Sequence, residues 1–226
     1  MEARKVNLLV KVLRVLEKEG VLKDLVVGGS WCLYFYKYYF NKKRAIATLR
    51  TRDIDFIVPE PKLLKGNIDL PELLKSLGFV IDFQGRGGFI RLVHPEFFIE
   101  FLVPEKGRGS NKAYALPALQ INAQALRFLD VLCMKTISLD FKGIRLRLPH
   151  PACFVLHKII IYKRRPQKDK RLKEIEQIER LSRVLEEDNF RGVKRMFRKL
   201  HPKWQRRVVN NLRGLEKGEL LEALEK

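Results

Sequence analysis

The chain has 226 residues and a formal net charge of +20, from 46 Lys and Arg against 26 Asp and Glu. Hydrophobic residues make up 46% and aromatic residues 10%, enough to pack a core, which excludes a wholly disordered chain. The charge excess sets up a field that attracts polyanions: nucleic acid, nucleotides or acidic membranes. The same excess also suits a solubility device or the charge enrichment of a heat-adapted protein. Cys32, Cys133 and Cys153 stand far apart with no CxxC pair, which argues against a zinc knuckle and for a reducing compartment. The first twenty residues are charged throughout, unlike a signal peptide, and no run approaches the ~18 apolar residues of a membrane span. The default expectation is a cytoplasmic protein with no membrane partner.

Residues 3–19 predict an amphipathic helix, with Val6, Leu9, Val10, Leu13 and Leu16 at three- and four-residue spacing and Gly20 as its C-terminal stop. A short buried strand at Leu25–Val27 runs into Gly28-Gly29-Ser30, and a helix begins there with Ser30 placed to cap it. The segment DIDFIV at 53–58 reads as a strand ended by Pro59 and Pro61, and residues 71–77 as a short helix with Pro71 in its first turn. Three apolar runs, at 79–83, 89–93 and 97–103, are separated by QGRGG and HPE and read as a meander of strands. A basic, Gly-containing loop follows at 104–115. Residues 126–148 hold strand-like runs, with a hairpin around Phe141-Lys142-Gly143.

The character changes near Leu148–Pro149, after which helix follows helix. Two units are expected: 1–148, and a basic helical domain at 149–226. Residues 1–150 carry 25 Lys and Arg against 15 Asp and Glu, and residues 151–226 carry 21 against 11. Each part nets +10, so the shorter one has about twice the charge density. The fold class is α+β: a mixed β-sheet core flanked by helices, followed by the C-terminal helical domain.

The informative pattern is Asp53-Ile54-Asp55. Side chains alternate along a strand, so both carboxylates share one face about 7 Å apart, with Ile54, Phe56 and Val58 on the other, core-facing side. Two like charges side by side repel unless a cation lies between them, and oxygen ligands at this spacing suit Mg²⁺ with substrate phosphates. Glu100 is the candidate third carboxylate. It stands alone in PEFFIEFLVP, where a charge is costly unless paired or metal-bound. Gly28-Gly29-Ser30 adds a turn between strand and helix where backbone N–H groups can meet phosphate.

The order of VVGGSWCLYFY, RTRDIDFIV and FFIEFLVP resembles the polymerase-β-like nucleotidyltransferase superfamily, in the bacterial and archaeal branch that includes toxin-type members. Ser30 and Asp53 lie 23 positions apart, a spacing that suits that branch. The helical text after LPHP is similar too: Lys158 and Arg165 fall in matching places, and Lys173-Glu174 stands where a Lys-Asp pair is usual, with Gln177 following. The resemblance implies a nucleotidyltransferase core over 1–148. It implies that Asp53, Asp55 and Glu100 are catalytic and metal-binding, holding two Mg²⁺ ions (or Mn²⁺), with an NTP as substrate. Gly28, Gly29 and Ser30 would hold the β- and γ-phosphates, with Lys158 neutralising charge and Arg52 as a further phosphate contact. A nucleoside monophosphate would pass to an acceptor hydroxyl while pyrophosphate leaves. The charge makes nucleic acid, RNA and a tRNA end in particular, the leading acceptor, with a protein or a small molecule as the others.

The basic residues of the last helices, from Lys194 to Arg207, interleave with Met196, Phe197, Leu200 and Trp204. They read equally as a solvated helix face or as a track for a phosphate backbone. A second reading of the whole chain keeps the same fold without turnover, as a nucleic-acid-binding module or a toxin–antitoxin protein partner. His94, His150, His157 and His201 show no metal-ligand spacing and are not expected to act in chemistry.

Overall fold

The computed structural model describes residues 2–40, 52–85, 88–105, 107, 112–215 and 218–225. Parts of the expected turn at 84–88 and of the loop at 104–115 lie outside the described residues. Helix α1 (Glu2–Lys18) buries all five predicted apolar positions. It ends as expected: Gly20 takes φ +69° and the Val21 N–H returns to the Leu16 carbonyl at 2.9 Å. Strand β1 (Val26–Val27) leads through the glycines into α2 (Trp31–Tyr39), where Trp31, Tyr34 and Phe35 pack edge-on with Phe97 and Phe141. Ser30 stands at the start of α2 but makes no capping bond there. Its hydroxyl instead accepts a hydrogen bond from Gln177 Nε2 at 3.0 Å, 147 residues away.

Strand β2 (Asp53–Ile57) is followed by α3 (Leu70–Lys75), capped by the Asp69 carboxylate on the Glu72 N–H. The expected meander is present as β3 (Val80–Gln84), β4 (Phe89–Val93) and β5 (Phe98–Pro104), antiparallel in sequence. β6 (Tyr114–Leu116) and β7 (Ile121–Leu126) follow. The main sheet runs β1-β2-β5-β4-β3, with β7 parallel to the far end of β5 and β6 beside β7. β1 is antiparallel to β2, and β2 is parallel to β5, so the sheet is mixed and the fold is α+β as expected. The parallel β2–β5 pair lies inside the sheet, which explains why both strands are so apolar on their core side.

After α4 (Leu129–Cys133), β8 (Thr136–Phe141) and β9 (Ile144–Pro149) form a separate hairpin. Its turn residues Lys142 and Gly143 both have positive φ, the conformation that matches the twist of two-residue hairpins. Helix α5 (Pro151–Ile161) is buried at every residue, because its sequence is apolar almost all round. Around it lie α6 (Lys168–Glu186), α7 (Arg191–Phe197), α8 (Pro202–Arg213) and α9 (Gly218–Glu225). Buried apolar side chains from both sides of residue 148 belong to one hydrophobic cluster, and Tyr36 donates from its hydroxyl to the Pro149 carbonyl at 2.8 Å. Among the described residues no helix is long and apolar enough to cross a membrane.

Two of the scattered histidines have structural work. His150 and His201 each precede a proline, and each accepts through Nδ1 the N–H two residues on, capping α5 and α8. Burial and nearby Lys135 and Arg195 lower the His150 pKa to about 4. The unfolded chain therefore binds a proton here that the folded chain refuses, and stability is lost as pH falls below about 6.5. We expect the melting temperature of His150→Asn, which keeps a capping oxygen but does not titrate, to fall less than the wild type's between pH 7 and pH 4.

Candidate active site

The site is built where β1 hands over to α2. Gly28 donates its N–H to the Asp55 carbonyl at 2.7 Å, which clamps the turn onto β2. Gly29 has φ +64°, and a Cβ placed on it would lie 2.5 Å from Asp55 Oδ2. Only glycine combines that backbone conformation with that closeness. The turn therefore lies directly on the Asp55 carboxylate.

Asp53 and Asp55 share one face of β2, as the alternation requires. In the parallel β2–β5 pair Asp55 is in register with Glu100, which places Glu100 on that same face of the next strand. Burial, reinforced by the Asp53 and Glu100 charges, pushes the Asp55 carboxyl up to about 7, against an opposing pull from Lys158 and Arg165.

Glu100 has a partner that sequence reasoning missed. Arg91, opposite it on β4, converges on Glu100 Oε1 with Nε at 2.8 Å and Nη2 at 2.5 Å. Its guanidinium lies over the Phe98 ring at 4.2 Å. Among the described residues Glu100 Oε2 accepts no hydrogen bond. The signal was the position of Arg91 in FIRLV, a lone charge on a strand adjacent to that of Glu100; it becomes readable only once the register is known.

Across from Asp55 stands a buried charge cluster from the helical part. Lys158 on α5 meets Glu174 on α6 at 2.6 Å, and Arg165 Nε meets the other Glu174 oxygen at 2.9 Å. Burial works against the Glu174 charge, but the two cations outweigh it and hold the carboxyl below its usual range. Beside Lys158, burial keeps His157 neutral, with its pKa lowered to about 3. Gln177, one turn beyond Glu174, reaches Ser30, so one face of α6 fixes both the lysine and the glycine turn.

Between sheet and helices opens a cavity of about 660 Å³, lined among others by Gly29, Asp55, Phe128, Lys158, Arg164 and Arg165. Its walls mix cations with Leu126, Leu129 and Ile161, a combination suited to an anionic group carrying an apolar ring. Glu100 faces a neighbouring depression of about 240 Å³. The structure thus brings Gly28, Gly29, Ser30, Asp53, Asp55, Glu100 and Lys158 to one region. Arg52 it does not: its Nη2 donates to the Pro95 carbonyl at 3.1 Å, in a different depression shared with Arg4 and Lys5. Among the described residues no three His, Cys, Asp or Glu side chains form a ready-made metal cluster. The donors that fit a hard divalent ion are the Asp53 and Asp55 oxygens, crowded by like charge, with Asp55 lining a cavity whose other wall carries Lys158 and Arg165.

The chain belongs to the nucleotidyltransferase family, whose model matches residues 7–200. It is a transferase of that family. No curated protein matches it. A crystal structure of an antigenic nucleotidyltransferase-like protein from Paracoccidioides brasiliensis is 14% identical, over 96% of this chain and 92% of that one, with a TM-score of 0.51, a likeness of fold. The solution structure of the antibiotic-resistance factor ANT(2'')-Ia is 18% identical over 88% of this chain and 94% of that one, with a TM-score of 0.49. Its crystal structure with adenylyl-2''-tobramycin is 15% identical over 87% and 98%, also at 0.49.

Replacing Glu174 leaves Lys158 buried without its counter-charge. Glu174→Gln is expected to lower unfolding stability by about 3 kcal/mol, the scale for removing one partner of a buried pair. Chemical denaturation measures it, and a loss below about 0.5 kcal/mol would show that the cluster is not held by charge.

Proposed function

We propose that the chain is a divalent-cation-dependent nucleotidyltransferase that moves a nucleoside monophosphate from an NTP to a hydroxyl at the end of a nucleic-acid acceptor, with RNA as the leading one. The observation that carries this reading is the Asp55 carboxylate lying against Gly29 while Lys158 and Arg165 face it across one cavity. That arrangement separates a cation-seeking side from an anion-seeking side, as a metal-bound triphosphate needs.

Asp53 and Asp55 would hold Mg²⁺ or Mn²⁺, which when bound supplies charge neutralisation for the phosphates and lowers the pKa of the attacking hydroxyl. The Gly28 N–H is taken by the Asp55 carbonyl, so the backbone N–H groups left for the β- and γ-phosphates would be those of Gly29 and Ser30, at the N-terminal end of α2. Lys158 and Arg165, kept in place by Glu174, balance the triphosphate charge from the other wall. Glu100 would take the acceptor's proton, a role supported by Arg91, which holds the carboxylate through one oxygen and leaves the other for the hydroxyl. The acceptor oxygen bonds to the α-phosphorus as the bond to the bridging oxygen breaks, and pyrophosphate departs. The nucleic-acid acceptor is supported by the charge: +20 overall, with the denser excess in the helical part that forms the far wall. A polycationic acceptor would be repelled by Arg164 and Arg165.

The test is incubation of the full chain with each α-³²P-labelled NTP, Mg²⁺, and RNA or protein fractions of a cell extract. Label is expected in RNA and not in protein, with at least about a hundredfold loss in Asp55→Asn, equivalent to the several kcal/mol a bound metal supplies. Label in protein alone, or none while the Asp55→Asn and wild-type chains bind RNA equally, would contradict the reading. The second result would point to a binding module instead.

A further inference from the structure

The rim of the 660 Å³ cavity carries a feature that the chemistry above does not use. Phe128, at the junction of β7 and α4, has φ +76°, a conformation rare for a bulky residue and costly unless its surroundings impose it. Its ring meets α8: the Phe128 and Trp204 rings lie edge to face with centroids 4.1 Å apart. Two guanidinium groups lie on this pair. Arg164, just after α5, stands 5.2 Å from the Phe128 centroid, and Arg207, one turn along α8 from Trp204, stands 5.6 Å from Phe128 and 6.0 Å from Trp204.

Neither arginine has a carboxylate partner among the described residues. This sets them apart from Arg165 and Arg91, which are both spoken for. An arginine stacked on a ring is held flat with its N–H groups still in need of acceptors. Two such groups on one ring pair, with Arg164 and Phe128 lining the cavity that also holds Asp55, offer donors to phosphates. The half-buried Trp204 adds an aromatic surface next to them. Aromatic faces interleaved with cations are how single strands are bound without sequence reading. Lys163 and Lys203, next in sequence to Arg164 and Trp204, are exposed as well.

We propose that Phe128, Trp204, Arg164 and Arg207 form a shelf that grips the phosphates of the acceptor's single-stranded end and points its terminal hydroxyl into the cavity. The inference rests on the transfer reading above and names the acceptor side of that same site. An acidic protein segment would be drawn by the same charge. The stacked planar guanidinium groups favour phosphate, which accepts two parallel hydrogen bonds from each.

The experiment measures binding of 5′-fluorescein-labelled single-stranded RNA and DNA oligonucleotides by anisotropy, across a salt series, for the full chain and for Arg207→Ala and Arg207→Lys. Arg207→Ala is expected to weaken binding about tenfold and to flatten the log-affinity against log-salt slope by about 0.7, the contribution of one single-strand phosphate contact. Arg207→Lys keeps the slope but recovers only part of the affinity, because it restores charge without the planar stack. Magnesium–NTP binding by calorimetry stays unchanged in both, since Arg207 does not line the cavity. RNA bound more tightly than DNA identifies the source as RNA; the reverse order identifies DNA, and either supports the shelf. The shelf is overturned if Arg207→Ala binds both oligonucleotides as the wild type does, or if polyglutamate displaces them at equal charge concentration. If the wild type binds RNA through Arg207 but transfers no nucleotide, the transfer reading falls and the shelf stands. If transfer proceeds with an unchanged oligonucleotide KM in Arg207→Ala, the shelf falls and the transfer reading stands.

Discussion

The structure turns on one crowded carboxylate. Asp55 is held between a glycine that leaves no room for a Cβ, two acidic neighbours and the cations of the opposite wall. Folding raises its pKa above the unfolded value, so this residue favours the folded chain at low pH and works against it as pH rises toward about 7. A buried group that costs stability at neutral pH is not there for packing. In the proposed reading a divalent cation would offset that cost, and Gly29 of the Gly28–Ser30 turn lies directly against the carboxylate.

The helical part packs on the sheet through a shared apolar core and brings its own paired charges to the site. α5 is apolar on nearly every side and would be an ordinary core helix, yet it carries Lys158 into the interior. Glu174 makes that tolerable, and the same helix places Gln177 on Ser30. One helix face thus fixes both walls of the cavity. The basic excess divides in two as a result: Lys158 and Arg165 are buried or paired at the reaction centre, while Arg164 and Arg207 remain at the rim, held by aromatic rings rather than by carboxylates.

Much of this was legible in the sequence, for local reasons. Strand alternation put Asp53 and Asp55 on one face, and the isolation of Glu100 among aromatics marked it as needing a partner. The prolines and glycines set the ends of α1, α3 and the β8–β9 hairpin. What stayed hidden depends on long-range register. Arg91 finds Glu100 only when β4 lies beside β5, and Glu174 finds Lys158 only when α6 packs on α5. Ser30 illustrates the competition: a hydroxyl at a helix start predicts a cap, but a side-chain donor 147 residues away takes it instead. Arg52 adjoins Asp53 in sequence, yet it is placed with Pro95 outside the site.

The central claim is that Asp55 is kept crowded and cation-seeking by this fold, and the direct measurement is its own titration. Carboxyl-carbon NMR of the Asp55 side chain, followed over pH in the metal-free chain and again with Mg²⁺ and a non-hydrolysable NTP, reads it. The account predicts a midpoint of about 7 without metal and a fall below the ordinary 3.8 once metal and nucleotide are bound. A midpoint at 3.8 in both states would contradict it.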